Sequence, residues 1–303
     1  MLSRRKKRFR SEAYGTPLHM EHCCPFPHNL IPKLYVQAGH DARNALLSGG
    51  SAKPMSVIPQ SRIRNRLLSV VGAETYARIA PHLTPVELSV RELLVEPQAE
   101  ILEVHFLEAG LASMVATSRD GKEEIEVGHI GPEGMTGFCL LHGVGQTPHR
   151  TFMQTAGASL RISAHALLVL VAEDEALRQL LLRYIHCYEV QLSHSALANG
   201  RYNINERLAR WLLMSQDRLE TDDLPLTHEF LALMLGVRRS GVTNEIHVLE
   251  GARLIKARRG RIHILDRMGL EAIAAGCYGI PEEEYRRLIQ APAERMGLLY
   301  SPG

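Results

Sequence analysis

Between Gly236 and Arg261 the chain carries seven basic residues, Arg238, Arg239, Arg253, Lys256, Arg258, Arg259 and Arg261, against two acidic ones, Glu245 and Glu250. The resulting +5 exceeds the formal +2 of all 303 residues, so positive charge is concentrated in this stretch. Cations grouped in this way attract a polyanion. Arg239, Ser240, Thr243, Asn244 and His247 lie among them and can hydrogen-bond base edges. The chemistry on offer is recognition of duplex DNA.

Such residues read DNA only when a scaffold presents them together. Residues 225–265, PLTHEFLALMLGVRRSGVTNEIHVLEGARLIKARRGRIHIL, have the order of a winged helix-turn-helix. Thr227 can cap a short helix, followed by His228, whose apolar face is Phe230, Leu231, Met234 and Leu235. Gly236 turns the chain, because glycine tolerates a positive φ. A second helix places Val242, Ile246 and Leu249 on its inner face and the hydrogen-bonding residues outside. Ala232 is small enough for the two helices to cross closely. Residues 254–265 alternate as a hairpin around Arg258-Arg259-Gly260, the expected wing. A plain helical hairpin with a solvated basic face is the competing reading, and the basic wing at the right distance argues against it.

The chain is long enough for two cores. Its 45% hydrophobic and 22% charged content is that of an ordinary globular protein. The longest apolar stretch, 164–172, is interrupted by His165 and is far shorter than the ~18 residues a membrane helix needs. The start, MLSRRKKRFR, is basic without a following apolar segment, so it does not read as a secretory signal. Five cysteines, Cys23, Cys24, Cys139, Cys187 and Cys277, show no metal spacing and point to a reducing cytoplasm.

Four regions are expected. Residues 1–60 are rich in Pro, Gly, Ser and His without period; they read as a disordered extension, or as sequence upstream of a native start near Met55. Residues 61–164 open with an amphipathic helical pattern (Leu67, Leu68, Val71, Ile79) and then alternate as short antiparallel strands with Gly turns. Arg119-Asp120-Gly121-Lys122 forms a hairpin turn, and the pattern implies a β-roll or jelly roll. Residues 165–200 form a long central helix within a helical pattern that continues to about Gln216. Its stripe, Leu177, Leu181, Tyr184, Tyr188 and Leu192, is expected to pack against a twin in a dimer. Packing of that stripe onto its own β-roll is the alternative. Residues 201–303 hold the winged helix-turn-helix and one or two closing helices.

This order resembles the catabolite-activator and FNR-like (Crp/Fnr) family of bacterial transcription regulators. The resemblance spans residues 62–270 and is sharpest in LTHEFLALMLGVRRSGVTNEIHVLEGARLIKARRGRIHI and SRDGKEEIEVGHIGPEGMTG. It implies an α+β fold of β-roll, dimerisation helix and winged helix-turn-helix. It also implies a homodimer on double-stranded DNA, with RNA polymerase as a further partner. Arg239 falls where the family has its guanine-reading arginine, Ser240 where many members have a glutamate, and Asn244 where many have a second arginine. Thr227 and His228 fall where backbone and side chain hold a phosphate. Arg238, Lys256, Arg258, Arg259 and Arg261 would hold further phosphates. Members that bind cyclic nucleotides use a carboxylate after a pocket glycine and an arginine for the phosphate. Here Gly137 is followed by Phe138, and Pro148-His149 stands where the arginine belongs, with Arg150 displaced. The cysteine set of oxygen-sensing members is also missing.

The β-roll is shared with cupin metalloenzymes, and His105, His129, His142 and His149 fall within it, but no HxH pair occurs there. No catalytic triad motif, P-loop or GxGxxG is present. A roll that binds a small molecule without DNA is the rival reading. The sequence points to a cytoplasmic DNA-binding regulator that is not an enzyme, with no cofactor and an unknown effector.

Overall fold

The computed structural model describes residues 57–292. The expectations for residues 1–56, including Cys23 and Cys24, lie outside the described residues. Asn65 caps a short helix, α1 (Arg66–Val70), by accepting from the amides of Leu67 and Leu68. Its amide nitrogen donates to Leu107 O and Gly134 O, which fastens this entry segment to the sheet. A second short helix, α2 (Ala73–Ile79), follows Gly72.

The β-roll is an antiparallel sheet of β1 (Thr84–Leu88), β2 (Leu93–Val95), β3 (Glu103–Thr117), β4 (Glu124–Ile130) and β5 (Arg150–Ser163). The order is β1-β5-β3-β4, with β2 also pairing with β5. What reads in sequence as several short strands is two long ones, β3 and β5, with register shifts between Leu107 and Ala112. Bulges bend a strand without ending it. At the bend Gly110 has φ 86°, and a Cβ on the facing Gly157 would lie 2.0 Å from Ala109 O. The backbones meet there only because both residues are glycine.

The helical run after the roll is three helices, not one. They are α3 (Ala164–Glu173), α4 (Glu175–Arg201) and α5 (Ile204–Leu219). Asp174 caps α4, and Asn203 with Glu206 forms a capping box on α5. Apolar periodicity ran through both breaks and hid them.

The stripe expected to meet a twin is instead buried in the chain's own core. Leu177, Leu181, Tyr184 and Tyr188 belong to the roll's apolar cluster, and Leu192 packs against it. Tyr184 donates to Met135 O, and Tyr188 lies against Gly128, where a Cβ would come within 2.5 Å of its hydroxyl. The reason is physical: the open roll leaves an apolar face, and α4 covers part of it. Within one chain, Leu177, Leu181, Tyr184 and Tyr188 are thus buried and Leu192 is half-buried.

After β6 (Asp223–Leu224) come α6 (His228–Leu235), α7 (Arg239–Gly251), β7 (Ile255–Arg258), β8 (Arg261–Ile264) and α8 (Arg267–Ala274). The small sheet runs β6-β8-β7. The last helix, α9 (Ile280–Tyr285), and a π turn (Arg286–Gln290) leave this unit, and Tyr285 and Ile289 join the roll's core. A second core mixes Val115 and Phe152 of the roll with Trp211, Leu231, Met234 and Leu235. Among the described residues no helix is long and apolar enough to cross a membrane.

Candidate nucleic-acid interface

Thr227 accepts the Phe230 amide at 3.2 Å and starts α6. Gly236, at φ 62°, ends it, its amide donating to Leu233 O. Leu231, Met234 and Leu235 face inward against Val242, Ile246 and Leu249 of α7, all of them buried. The two helices are thereby held as one rigid pair.

The opposite face of α7 is open. Arg239, Ser240, Asn244 and His247 are exposed in one patch, together with Arg238 at the N-cap. Arginine has no acceptor to cap with, so the first amides of α7 remain for water or an external anion. Thr243 stands apart from this group. Its hydroxyl donates to Arg239 O at 3.0 Å and lies 3.1 Å from Nδ1 of His228. With its single proton engaged, that hydroxyl accepts from the His228 ring, which ties the start of α6 to α7. Burial, then the charges of Arg239 and His247, hold the His228 pKa below the ordinary imidazole value, so the ring is neutral at pH 7.

The two acids of the segment are turned to structural use. Glu245 accepts from Asn205 at 2.9 Å, and Glu250 accepts from the Ala257 amide at 2.8 Å, joining α7 to the wing. In the wing Ile255, Ile262 and Ile264 point inward, while Lys256, Arg258, Arg259 and Arg261 are exposed around Gly260, at φ 73°. Among the described residues none of Arg238, Arg239, Lys256, Arg258, Arg259 and Arg261 takes part in an ion pair. Arg238, Arg239, Ser240, Asn244 and His247 are thus exposed on α7 and Lys256, Arg258, Arg259 and Arg261 on the wing, with Thr243 and half-buried His228 as internal braces.

Residues 206–273 match the Crp-like helix-turn-helix domain. The chain carries a Crp-like helix-turn-helix domain. A Crp/Fnr-family putative transcriptional regulator from Eubacterium rectale is similar in fold, with TM-score 0.55, 17% identity, and coverage of 69% of this chain and 97% of that one. FixK2 from Bradyrhizobium japonicum gives TM-score 0.57 at 16% identity, covering 64% and 98%. The c-di-GMP-responsive regulator CLP from Xanthomonas campestris gives 0.54 at 17%, covering 64% and 99%. A comparison with curated protein sequences finds no match. The fold is that of the Crp/Fnr regulators, as the sequence led one to expect.

Sequence reasoning missed the contacts that carry the Crp-like reader. The carboxylate of Glu126 on β4 is buried and accepts from Trp211 Nε1 on α5 at 2.9 Å and from Ser113 Oγ at 2.5 Å, and it pairs with His129. Arg150, which the resemblance places beside a ligand pocket, bonds Glu124 at 2.9 Å and lies over Phe152. His105 is buried beside Ser159 at 2.9 Å, and burial lowers its pKa. Only one clue was visible: a lone acid within the apolar-alternating run Ile125–Ile130. A further cost falls on Gly236, where an added Cβ meets Ile125 at 2.9 Å in a left-handed backbone. Gly236→Ala is expected to lower stability by about 1–2 kcal/mol, read as a shifted urea midpoint at unchanged slope.

Proposed function

We propose that this chain is a cytoplasmic transcription regulator that binds an inverted-repeat duplex as a homodimer. The observation that carries the reading is the face of α7 and wing, on which six cations without ion-pair partners surround exposed Ser240, Asn244 and His247. Two such faces about one helical turn apart match successive major grooves, and a two-fold dimer then demands a two-fold site. Arg239 is assigned to a guanine edge and Asn244 to an adenine edge; the wing arginines are assigned to phosphates. A regulator seated in this way meets RNA polymerase as its further partner. It does so without catalysis of its own.

The dimer seam is proposed on the free face of α4. Leu182, Val190 and Leu197 recur there opposite the buried stripe, and Leu197 is 41% exposed. Val169 of α3 adds a further exposed apolar side chain.

The effector is not a cyclic nucleotide. Phe138 occupies the carboxylate's place, and its ring packs 4.7 Å from Tyr188 and 6.4 Å from Tyr184, filling the space between roll and helix. Arg150 is committed to Glu124, so a cyclic phosphate would be buried without a cation.

Arg239→Ala is expected to relax base preference at one position per half-site and to cost roughly 1–3 kcal/mol per lost contact. Arg259→Ala should weaken all sequences alike and lower the salt slope by about one per half-site. Equal losses on specific and random duplexes in both variants would remove the α7 assignment. For the seam, Leu197→Glu should sediment as a folded monomer with poor operator affinity. Tyr188→Glu, which places a charge in the roll's core, should instead fail to fold. A Leu197→Glu protein that stays dimeric moves the seam elsewhere.

A further inference from the structure

Arg207 and Arg210 stand one turn apart on α5 and line a small cavity of about 20 Å³ between β4, α4, α5 and α6. Glu126 and Trp211 form one side of it, and Ser195 and Asn199 of α4 another. Arg210 is only 7% exposed and makes one hydrogen bond, from Nη2 to Ser195 Oγ at 3.3 Å. That hydroxyl gives its own proton to Gln191 O at 3.0 Å, so it meets Arg210 as a neutral acceptor. Arg207 is half-buried and donates from Nη2 to Leu235 O, at the end of α6. Its Nε is buried without a partner. Arg210 Nε and Nη1 also lack partners yet keep accessible surface, and the cavity that Arg210 lines lies beside them.

Neither arginine enters an ion pair among the described residues. Burial holds the pKa of both below the ordinary guanidinium value, and for Arg210 it outweighs the nearby charges of Glu282 and Glu126. Burial acts in the same direction on Arg66, Arg218 and Arg267, but there paired carboxylates outweigh it and raise the pKa. An arginine stays protonated in a protein, so a guanidinium buried without a counter-charge is costly. Glu126, the one carboxylate of the lining, cannot neutralise both. Its single charge already accepts from Trp211, Ser113 and His129. The lining therefore keeps one uncompensated positive charge. A space of about 20 Å³ exceeds the ~10–15 Å³ that admits one water, yet it is far too small for a nucleotide or an organic acid.

We propose that this cavity binds one chloride-sized inorganic anion, held by Arg210 and Arg207. Its walls come from the roll, the central helix and the first helix of the helix-turn-helix, so the bound ion fastens the DNA-binding unit to the roll. That consequence rests on the DNA-binding reading above.

The site is tested without DNA. Trp211 is the chain's single tryptophan, lines the same cavity and is 3% exposed, so its fluorescence reports occupancy. Bromide quenches an adjacent indole through its heavy nucleus, an effect that chloride lacks. The full chain is titrated with sodium bromide, with sodium gluconate, too bulky for the cavity, holding the ionic strength. Quenching should saturate, and chloride added at the same ionic strength should reverse it. Arg210→Gln removes no ion pair, so it should fold, and it should weaken bromide binding by about tenfold or more, the worth of one charged hydrogen bond. Arg207→Gln should do the same and is the second variant should the first fail to fold. Quenching that rises linearly without saturation, quenching that chloride leaves unchanged, or full bromide affinity in either folded variant would overturn the proposal. Absence of operator binding in a protein that still binds bromide saturably would count against the DNA reading alone.

Discussion

The buried carboxylate of Glu126 holds the molecule's two halves in register. It draws together Ser113 and His129 of the roll with Trp211 of the first reader helix. Removing a charge from water is costly unless strong hydrogen bonds replace the water, so this group tolerates few alternative arrangements. Around it the second core is shared: Val115 and Phe152 of the roll pack with Leu231, Met234 and Leu235, and Phe152 meets Phe230 edge-on at 6.3 Å. The orientation of α7 is thus inherited from the roll through a polar pin set in an apolar joint. Even the turn glycine, Gly236, lies against a roll side chain, Ile125.

The central helix has two faces with different tasks. One completes the roll, where Tyr184 and Tyr188 meet Phe138 and fill the space between roll and helix. The other carries half-buried Leu182 and Val190 and exposed Leu197. The C-terminal helices then return to the roll with Tyr285 and Ile289, adding a second tie between the ends of the chain. A polar cavity lies beneath them, lined by residues of the roll, α4, α5 and α9.

How much of this was legible follows from the range of each signal. Thr227 as cap, Gly236 as turn, the inner triplet Val242, Ile246 and Leu249, and the wing around Gly260 are local features, and a local pattern declares them. The breaks at Asp174 and Asn203 were also local, yet continuous apolar periodicity masked their caps. The direction of the α4 stripe was not legible, because a row of Leu and Tyr is equally suited to a twin or to the chain's own sheet. Only the roll's open face decides between them. Glu126, Glu133 and Arg218 escaped for a deeper reason: a buried polar residue is specified by partners 85 residues away, as in Glu126–Trp211 and Glu133–Arg218. Its neighbourhood marks it weakly at most, as the lone acid in the apolar-alternating run Ile125–Ile130 does for Glu126.

The central claim is that two copies of the α7 face read one two-fold duplex. The most direct measurement is selection of bound sites from a random pool of duplexes by the full-length protein, followed by affinity measured across salt concentrations. The account predicts enrichment of an inverted repeat with half-sites about one helical turn apart, bound with an affinity that falls steeply as salt rises. Enrichment of no sequence, or of a single half-site bound by one copy, would contradict it.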